Sequence, residues 1–367
     1  MIVIADDLTG AAEIAGICLR FGLRATISLN GELPLQQGVS IICTDTRSMN
    51  KAKAKQVTAA VMKEIGERPV FYKKIDSVCR GHVLDELLIE MQESNKQRAI
   101  IEPANPSLGR AIENSKYYIN GVAISETDFA NDPEFPAKSS MVINMLSAKG
   151  KDVLVAKHSD QLPGKGIIVG EATSKEDIEA WAHKTEHDDV LVGAGDFFTA
   201  LLQRDCQLIE TSHPAIQTPY LYISGTAFNG SRDFIKQIKK KYQTVVYLPG
   251  DNDNESWLSV ANELLAKKQK LILAFDPAMN ITKDAVMLRS SMAKQVKQLL
   301  QQETVKEILI EGGATAAAII KELNIEMLEA DYEWQRGAVR MKAGQCYISF
   351  KPGSYELPTE IKELFSH

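Results

Sequence analysis

The sequence is short of most features that would settle a function at a glance. Its five cysteines, Cys18, Cys43, Cys79, Cys206 and Cys346, are odd in number, and none are spaced as a metal knuckle or a C-x-x-C redox pair. That pattern fits reduced thiols in a cytosolic protein. The six histidines show no metal-binding spacing. Positive charge is not in excess: the formal net charge is -6, which argues against a nucleic-acid binder, since such a protein displaces counterions with a basic face. No apolar run approaches the roughly 20 residues that span a bilayer. The opening Met1-Ile2-Val3-Ile4-Ala5-Asp6-Asp7 has no basic segment and does not read as a signal peptide. A cytoplasmic location without membrane or nucleic-acid partners is therefore expected, with homo-oligomerisation left open. Neither a G-x-x-x-x-G-K-[ST] loop nor a G-x-G-x-x-G opening the first helix occurs, and internal repeats and low-complexity tracts are also lacking.

What is present is ample apolar material, 44% of 367 residues, enough for two cores. Short β-branched runs alternate with segments of helical period, the pattern of a parallel sheet wound by helices. Strands are expected at Ile2–Ala5, Ala25–Leu29, Val39–Cys43, Val70–Tyr72, Ala99–Ile101, Asp152–Ala156, Ile167–Val169 and Val190–Val192. Helices are expected at Ala11–Phe21, Lys51–Ile65 and Val83–Ser94. Residues 103–140 break this rhythm with four prolines and two short strands, Tyr117–Ile119 and Val122–Ile124. An irregular excursion of that length inside an α/β domain is more often functional than structural.

Residues 211–219 lack an apolar period and carry two prolines, so they are read as a linker. It separates a domain over 1–210 from a second over 220–367. The second repeats the βα pattern, with strands at Leu221–Ser224, Thr244–Leu248, Leu271–Phe275 and Glu307–Ile310, and ends in a β-rich segment containing Cys346–Phe350. The expected fold class is α/β: two domains, each a mostly parallel sheet flanked by helices, with the ligand cleft expected between them and a hinge near the linker.

Polar clusters follow several strands, where open α/β sheets bind ligands. Asp6 and Asp7 end the first strand, and a carboxylate there could take a proton from a substrate hydroxyl. Helix capping accounts for one of these acids but poorly for both. Asp45 and Arg47 follow the third strand. Lys74, Asp76, Ser77, Arg80 and His82 follow the fourth, and the arginines offer bidentate forks for a carboxylate. In the second domain Ser224-Gly225-Thr226-Ala227 and Gly312-Gly313 with Thr315 end strands in glycine turns, which admit an anion close to backbone N–H groups.

Taken together, Ala5 through Ala11 and Lys74, Asp76, Ser77, Arg80 and Gly81 resemble the four-carbon acid sugar kinase family. The resemblance continues through Pro103-Ala104-Asn105-Pro106, Gly109-Arg110, Asn120-Gly121, Glu126-Thr127 and Asp132-Pro133, and more thinly through Ser224-Gly225, Gly312-Gly313, Thr315 and Lys351-Pro352-Gly353. It implies an ATP-dependent kinase, with Mg²⁺, that phosphorylates the terminal hydroxyl of a short sugar acid such as threonate or erythronate. The first domain would bind the acid. Asp6 or Asp7 would be the general base, and Arg80 with Arg47 the carboxylate clamp. Asp45, Lys74, Asp76, Ser77 and His82 would orient the substrate. Ser224, Gly225, Gly312, Gly313, Thr315 and Gly353 would hold the nucleotide.

The sequence departs from the family pattern at Val78-Cys79, His82, Asn105, Ala314 and the stretch Pro352-Gly353-Ser354-Tyr355-Glu356. Those on the nucleotide side open a second reading, a degenerate kinase that binds or senses a sugar acid. A third, a haloacid-dehalogenase-like phosphatase, needs acids two positions apart. Asp6 and Asp7 are adjacent and would point to opposite sides of an extended backbone.

Overall fold

A computed structural model describes residues 1–34, 37–132, 134–226, 228–249, 256–276, 285–353 and 355–366. It divides into two units, Met1–Glu210 and Thr211–His367.

The first unit contains β1 (Ile2–Ala5), β2 (Ala25–Ser28), β3 (Val39–Cys43), β4 (Val70–Lys74), β5 (Arg98–Glu102), β6 (Arg110–Glu113), β7 (Lys116–Ile119), β8 (Val122–Ala123), β9 (Val153–Lys157), β10 (Gly166–Glu171) and β11 (Val190–Gly193). The order β2-β3-β1-β4-β11-β5-β10-β9 forms one sheet in which each neighbouring pair is parallel. β1, β2, β3 and β5 are buried along their whole length, as expected when helices cover both faces, which is why such strands read as apolar runs rather than alternations. On one face Tyr72 packs between Phe197 and Phe198, with ring centroids 6.1 and 5.1 Å away.

Chain order reverses across β1. The connection from β1 leads to β2 and β3 on one side, and the chain then crosses to β4 on the other. Such a reversal opens a crevice at the carboxyl ends of the central strands, which here are β1 and β4.

The excursion forms a separate antiparallel sheet, β6-β7-β8. Sequence periodicity misses β6, whose four residues are too short to show a period. Asn114-Ser115 and Asn120-Gly121 join its strands with positive φ at all four positions, the backbone a two-residue type I′ turn requires. Asn120-Gly121 thus has a structural reason to exist.

The second unit contains β12 (Tyr220–Ser224), β13 (Val245–Leu248), β14 (Lys270–Phe275), β15 (Glu307–Glu311), β16 (Met327–Gln335), β17 (Ala338–Ala343) and β18 (Cys346–Lys351). Its strands run β13-β14-β12-β15-β18 in parallel, and β17 and β16 continue antiparallel as a meander. Order reverses here too, with β14 and β15 on opposite sides of β12. Residues 211–219, read as a linker, fall within this unit. Gln217 N–H donates to Glu307 at 2.8 Å, and Ile216 packs on the Tyr332–Trp334 cluster.

Candidate functional site

In the first unit, β1 ends at Ala5 and the backbone leaves the strand through Asp6 and Asp7. Their neighbours are tied in by hydrogen bonds that extend the ladder beyond the strands: Thr44 N–H to Ala5 O at 2.9 Å, Arg47 N–H to Asp6 O at 3.2 Å, and Asp6 N–H to Lys74 O at 3.3 Å. Arg47 is thereby brought over the two acids. Its Nε and Nη2 donate to Asp6 Oδ2 and Oδ1 at 3.1 and 2.7 Å, and its Nη1 and Nη2 donate to Asp7 Oδ2 and Oδ1 at 2.7 and 2.8 Å. The two carboxylates therefore converge, rather than pointing to opposite sides as strict strand alternation requires. Alternation lapses because the strand has already ended.

The two acids differ in environment. Asp7 caps the helix Leu8–Arg20, accepting from Gly10 N–H at 2.8 Å and from the Thr9 hydroxyl at 2.5 Å. Burial raises its pKa, but Arg47 and Lys74 outweigh that and hold it below the usual range. Asp6 is buried more deeply, and burial wins over the Arg47 charge, so its pKa lies above the usual carboxylate value.

Lys73 and Lys74 were expected in a loop, but β4 runs through both, so they project to opposite faces. Lys73 turns to Glu86, 2.9 Å away in the buried interior. Lys74 turns toward the site, 3.0 Å from Glu13, and donates to Ile75 O at 3.0 Å.

Past the strand, Asp76 accepts both forks of Arg80, Nε and Nη2, each at 2.9 Å, and lies 3.7 Å from Arg47. Burial would raise the Asp76 pKa. Arg80 and Arg47 outweigh it and hold the carboxyl well below the usual range. Arg80 Nη1 reaches Asp132 at 3.1 Å, and its guanidinium lies over the Phe129 ring at 5.8 Å. Arg110 donates to the Ser77 hydroxyl. His82 Nε2 is 2.6 Å from Met49 O, which anchors the loop. Asp45 is exposed, with φ of 49°. A pocket of about 380 Å³ opens beside this loop, lined among others by Val78, Arg80, Phe129, Phe135, Lys138 and Asn144.

Both arginines expected to clamp a substrate carboxylate thus spend forks on aspartates of the chain itself. Glu13, Phe129 and Lys138 stand outside every motif read from the sequence. Arg110 and Asp132 lie within the motif string but were not assigned to the site. Pro133, the second half of the Asp132-Pro133 motif, lies outside the described residues.

In the second unit the carboxyl ends of β12, β15 and β18 meet in three glycine turns. A Cβ on Gly225 would collide with the Thr315 side chain, and one on Gly353 with Thr226. Gly312 has φ of 102°, in the region that favours glycine. It precedes the helix Gly313–Glu322, which has no side-chain cap and so presents its first N–H groups. Thr315 is buried in the first turn of that helix. The Ser224 hydroxyl, expected to meet a nucleotide, donates to Glu311 at 2.8 Å, and the residue lines the cavity beside these turns. Ala227 and Ser354, parts of the turns read from the sequence, lie outside the described residues. Beside these turns is a cavity of about 250 Å³. Tyr247, Phe275, Leu288 and Met292 form apolar walls, while Arg232 and Arg289 supply positive charge.

Among the described residues no group of three His, Cys, Asp or Glu side chains could hold a metal ion. No described helix is long and apolar enough to cross a membrane.

Comparison with known proteins adds four findings. Residues 1–201 match the family described as a sugar-binding N-terminal domain. A D-threonate kinase of Salmonella typhimurium is 30% identical over 225 residues, covering 55% of this chain and 53% of that protein. A D-erythronate kinase of Heliobacterium modesticaldum is 28% identical over 209 residues, covering 50% of this chain and 47% of that protein. The chain therefore spans about half the length of the curated relatives it matches. A solved structure from Haemophilus influenzae has the same fold, with a TM-score of 0.78 at 18% identity, covering 100% of this chain and 99% of that one.

Proposed function

Because the chain belongs to the family marked by the sugar-binding N-terminal domain, the four-carbon acid sugar kinase family its motifs resemble, we propose that it transfers a phosphoryl group from ATP to the terminal hydroxyl of a short sugar acid of the threonate or erythronate kind. The observation that carries this reading is the convergence of Asp6, Asp7 and Asp76 on Arg47 at the switch point of the first unit.

Asp6 is assigned as the general base. Asp7 is already committed to the helix cap, while Asp6 has the raised pKa that makes a carboxylate a better proton acceptor. As the substrate oxygen bonds to the γ-phosphorus, its proton passes to the Asp6 carboxylate and ADP leaves with the bridging oxygen. Arg47 holds both acids in register and compensates their charge. Arg80, the more exposed of the two arginines at 29% against 13%, directs its remaining N–H groups to the substrate carboxylate at the mouth of the neighbouring pocket. Lys74, Ser77 and His82 act as positioning groups around it. Phosphoryl transfer demands chiefly placement and charge stabilisation, which such an inventory can supply.

The cavity of the second unit supports the nucleotide half of the reading. Aromatic and aliphatic walls suit a base, and two arginines with an uncapped helix N-terminus suit phosphates. Mg²⁺ would accompany the phosphates and screen their charge. Nucleotide-bound Mg²⁺ needs only one or two protein carboxylates, and Asp276 on the cavity wall fits that need.

A panel of four-carbon sugar acids, each assayed for ADP release with Mg-ATP, tests the proposal. Acid-dependent ADP release supports it and identifies the substrate. Thermal stabilisation by an acid, with no stabilisation by any nucleotide, would replace the kinase with a sugar-acid-binding protein. Phosphate release from a phosphosugar without nucleotide would point to a phosphatase.

A further inference from the structure

Glu311, at the end of β15, is fully buried and is the hub of a polar cluster that joins Ser224 and Lys351 from separate motifs. It accepts hydrogen bonds from the Tyr222 hydroxyl at 2.6 Å, from Ser224 at 2.8 Å and from Ser231, and it pairs with Lys351 at 2.7 Å. Lys351, also fully buried, ends β18 and donates to the carbonyls of Pro352, at 2.9 Å, and Tyr355. Backbone bonds follow the same routes: Gly225 N–H to Glu311 O at 3.1 Å and Gly312 N–H to Lys351 O at 2.9 Å. One carboxylate and one ammonium thus tie together the ends of β12, β15 and β18 and the first turn of the helix Asn229–Tyr242. The three strands whose ends are tied are those that carry the glycine turns.

Stability alone is a weak reason for such a pair. Two charges taken out of water are seldom better than well-packed apolar groups of the same volume, whereas removing one partner is costly. Fixing a geometry is the better-attested use. Gly225 sits against Thr315 and Gly353 against Thr226 with no room for a methyl group, so a small shift of any strand end would displace the other turns.

We propose that Glu311 and Lys351 form a buried latch that sets the spacing of the Gly225, Gly312 and Gly353 turns, and so positions the groups that receive the nucleotide phosphates. The latch rests on the nucleotide reading of the second unit. Neither residue touches the reacting atoms; both act through the turns. Ser224 belongs to the latch, because its proton is committed to Glu311. Phosphate contact at this corner then falls to the helix N-terminus at Gly313 and to the cavity arginines.

Four proteins test this: the parent chain, Glu311→Gln, the double variant Glu311→Gln/Lys351→Met, and Glu311→Asp. Each is measured for thermal unfolding, for Mg-ADP affinity by calorimetry, and for the KM of ATP and of the sugar acid. The single Gln variant should unfold at a lower temperature because Lys351 is left unpaired. The double variant should regain much of that loss, yet bind Mg-ADP about tenfold or more weakly, as misplaced binding groups do, with the acid KM nearly unchanged. If the double variant regains both stability and ADP affinity, the pair is merely structural and the latch is overturned. Should the double variant stay unstable, Glu311→Asp decides: weaker ADP binding in a folded protein supports the latch, and parental affinity overturns it. A parent chain that binds no nucleotide overturns the nucleotide reading and the latch with it. A parent that binds, beside variants that bind equally well, overturns the latch alone.

Discussion

Arg47 grips Asp6 through both carboxylate oxygens, Nε to Oδ2 at 3.1 Å and Nη2 to Oδ1 at 2.7 Å, while its fork also reaches Asp7. One guanidinium thus balances two adjacent acids of unequal character. Replacing Asp6 with Asn should abolish most turnover, by about a hundredfold or more, the usual size of a lost general base. Asp7→Asn keeps a good helix cap but gives up the charge paired with Arg47, so it should lose some stability, and Asp7→Ala, which loses the cap as well, should cost about 1 kcal/mol more. Turnover and urea unfolding of the three variants check this. Equal turnover in Asp6→Asn and the parent would remove Asp6 as the base.

Asp76 carries a pH signature. Its folded-state pKa lies well below the unfolded value because Arg80 and Arg47 outweigh the effect of burial. A depressed carboxylate contributes stability that is complete above the unfolded pKa of about 4 and is lost as pH falls below it. Urea midpoints measured from neutral pH into that acid range should therefore fall more steeply for the parent than for Asp76→Asn. Parallel curves would show that Asp76 is not the group responsible.

Gly225 stands where a methyl group would collide with Thr315. Gly225→Ala should lower the melting temperature and weaken Mg-ADP binding, and trimming the obstacle with Gly225→Ala/Thr315→Gly should recover part of the stability. A single variant as stable as the parent would mean that the two turns separate at little cost.

Lys73 pairs with Glu86 in the interior, with side-chain exposures of 0% and 2%. Glu86→Ala leaves a buried ammonium without its partner and should cost about 3–5 kcal/mol, while a double replacement by Met and Leu should be far milder. Chemical denaturation of both variants measures the difference. A mild single variant would indicate that Lys73 finds another partner or sheds its proton.

Much of the frame was legible because parallel strands and their helices leave local marks. β1 and β3 were read to the residue, since a short, fully buried strand is an unbroken apolar run. The acids after β1 and the Lys74–Arg80 cluster were legible as chemistry at strand ends. The short β6 escaped, and β4 was read too short because Lys73 and Lys74 look like loop residues until burial partners are known.

The sequence by itself determined the α/β class, the polar stations after several strands and the glycines that only close turns require, because each is written in neighbouring residues. Tertiary structure decided partnership. Arg47 meets Asp6 from 41 positions away, and Arg80 meets Asp132 across 52. Ser224 gives its proton to Glu311 from 87 positions away. A charged side chain in water has no preferred partner. Only a sheet that brings distant strand ends together, away from solvent, makes one pairing much cheaper than the rest and turns a row of candidate ligands into holders and held.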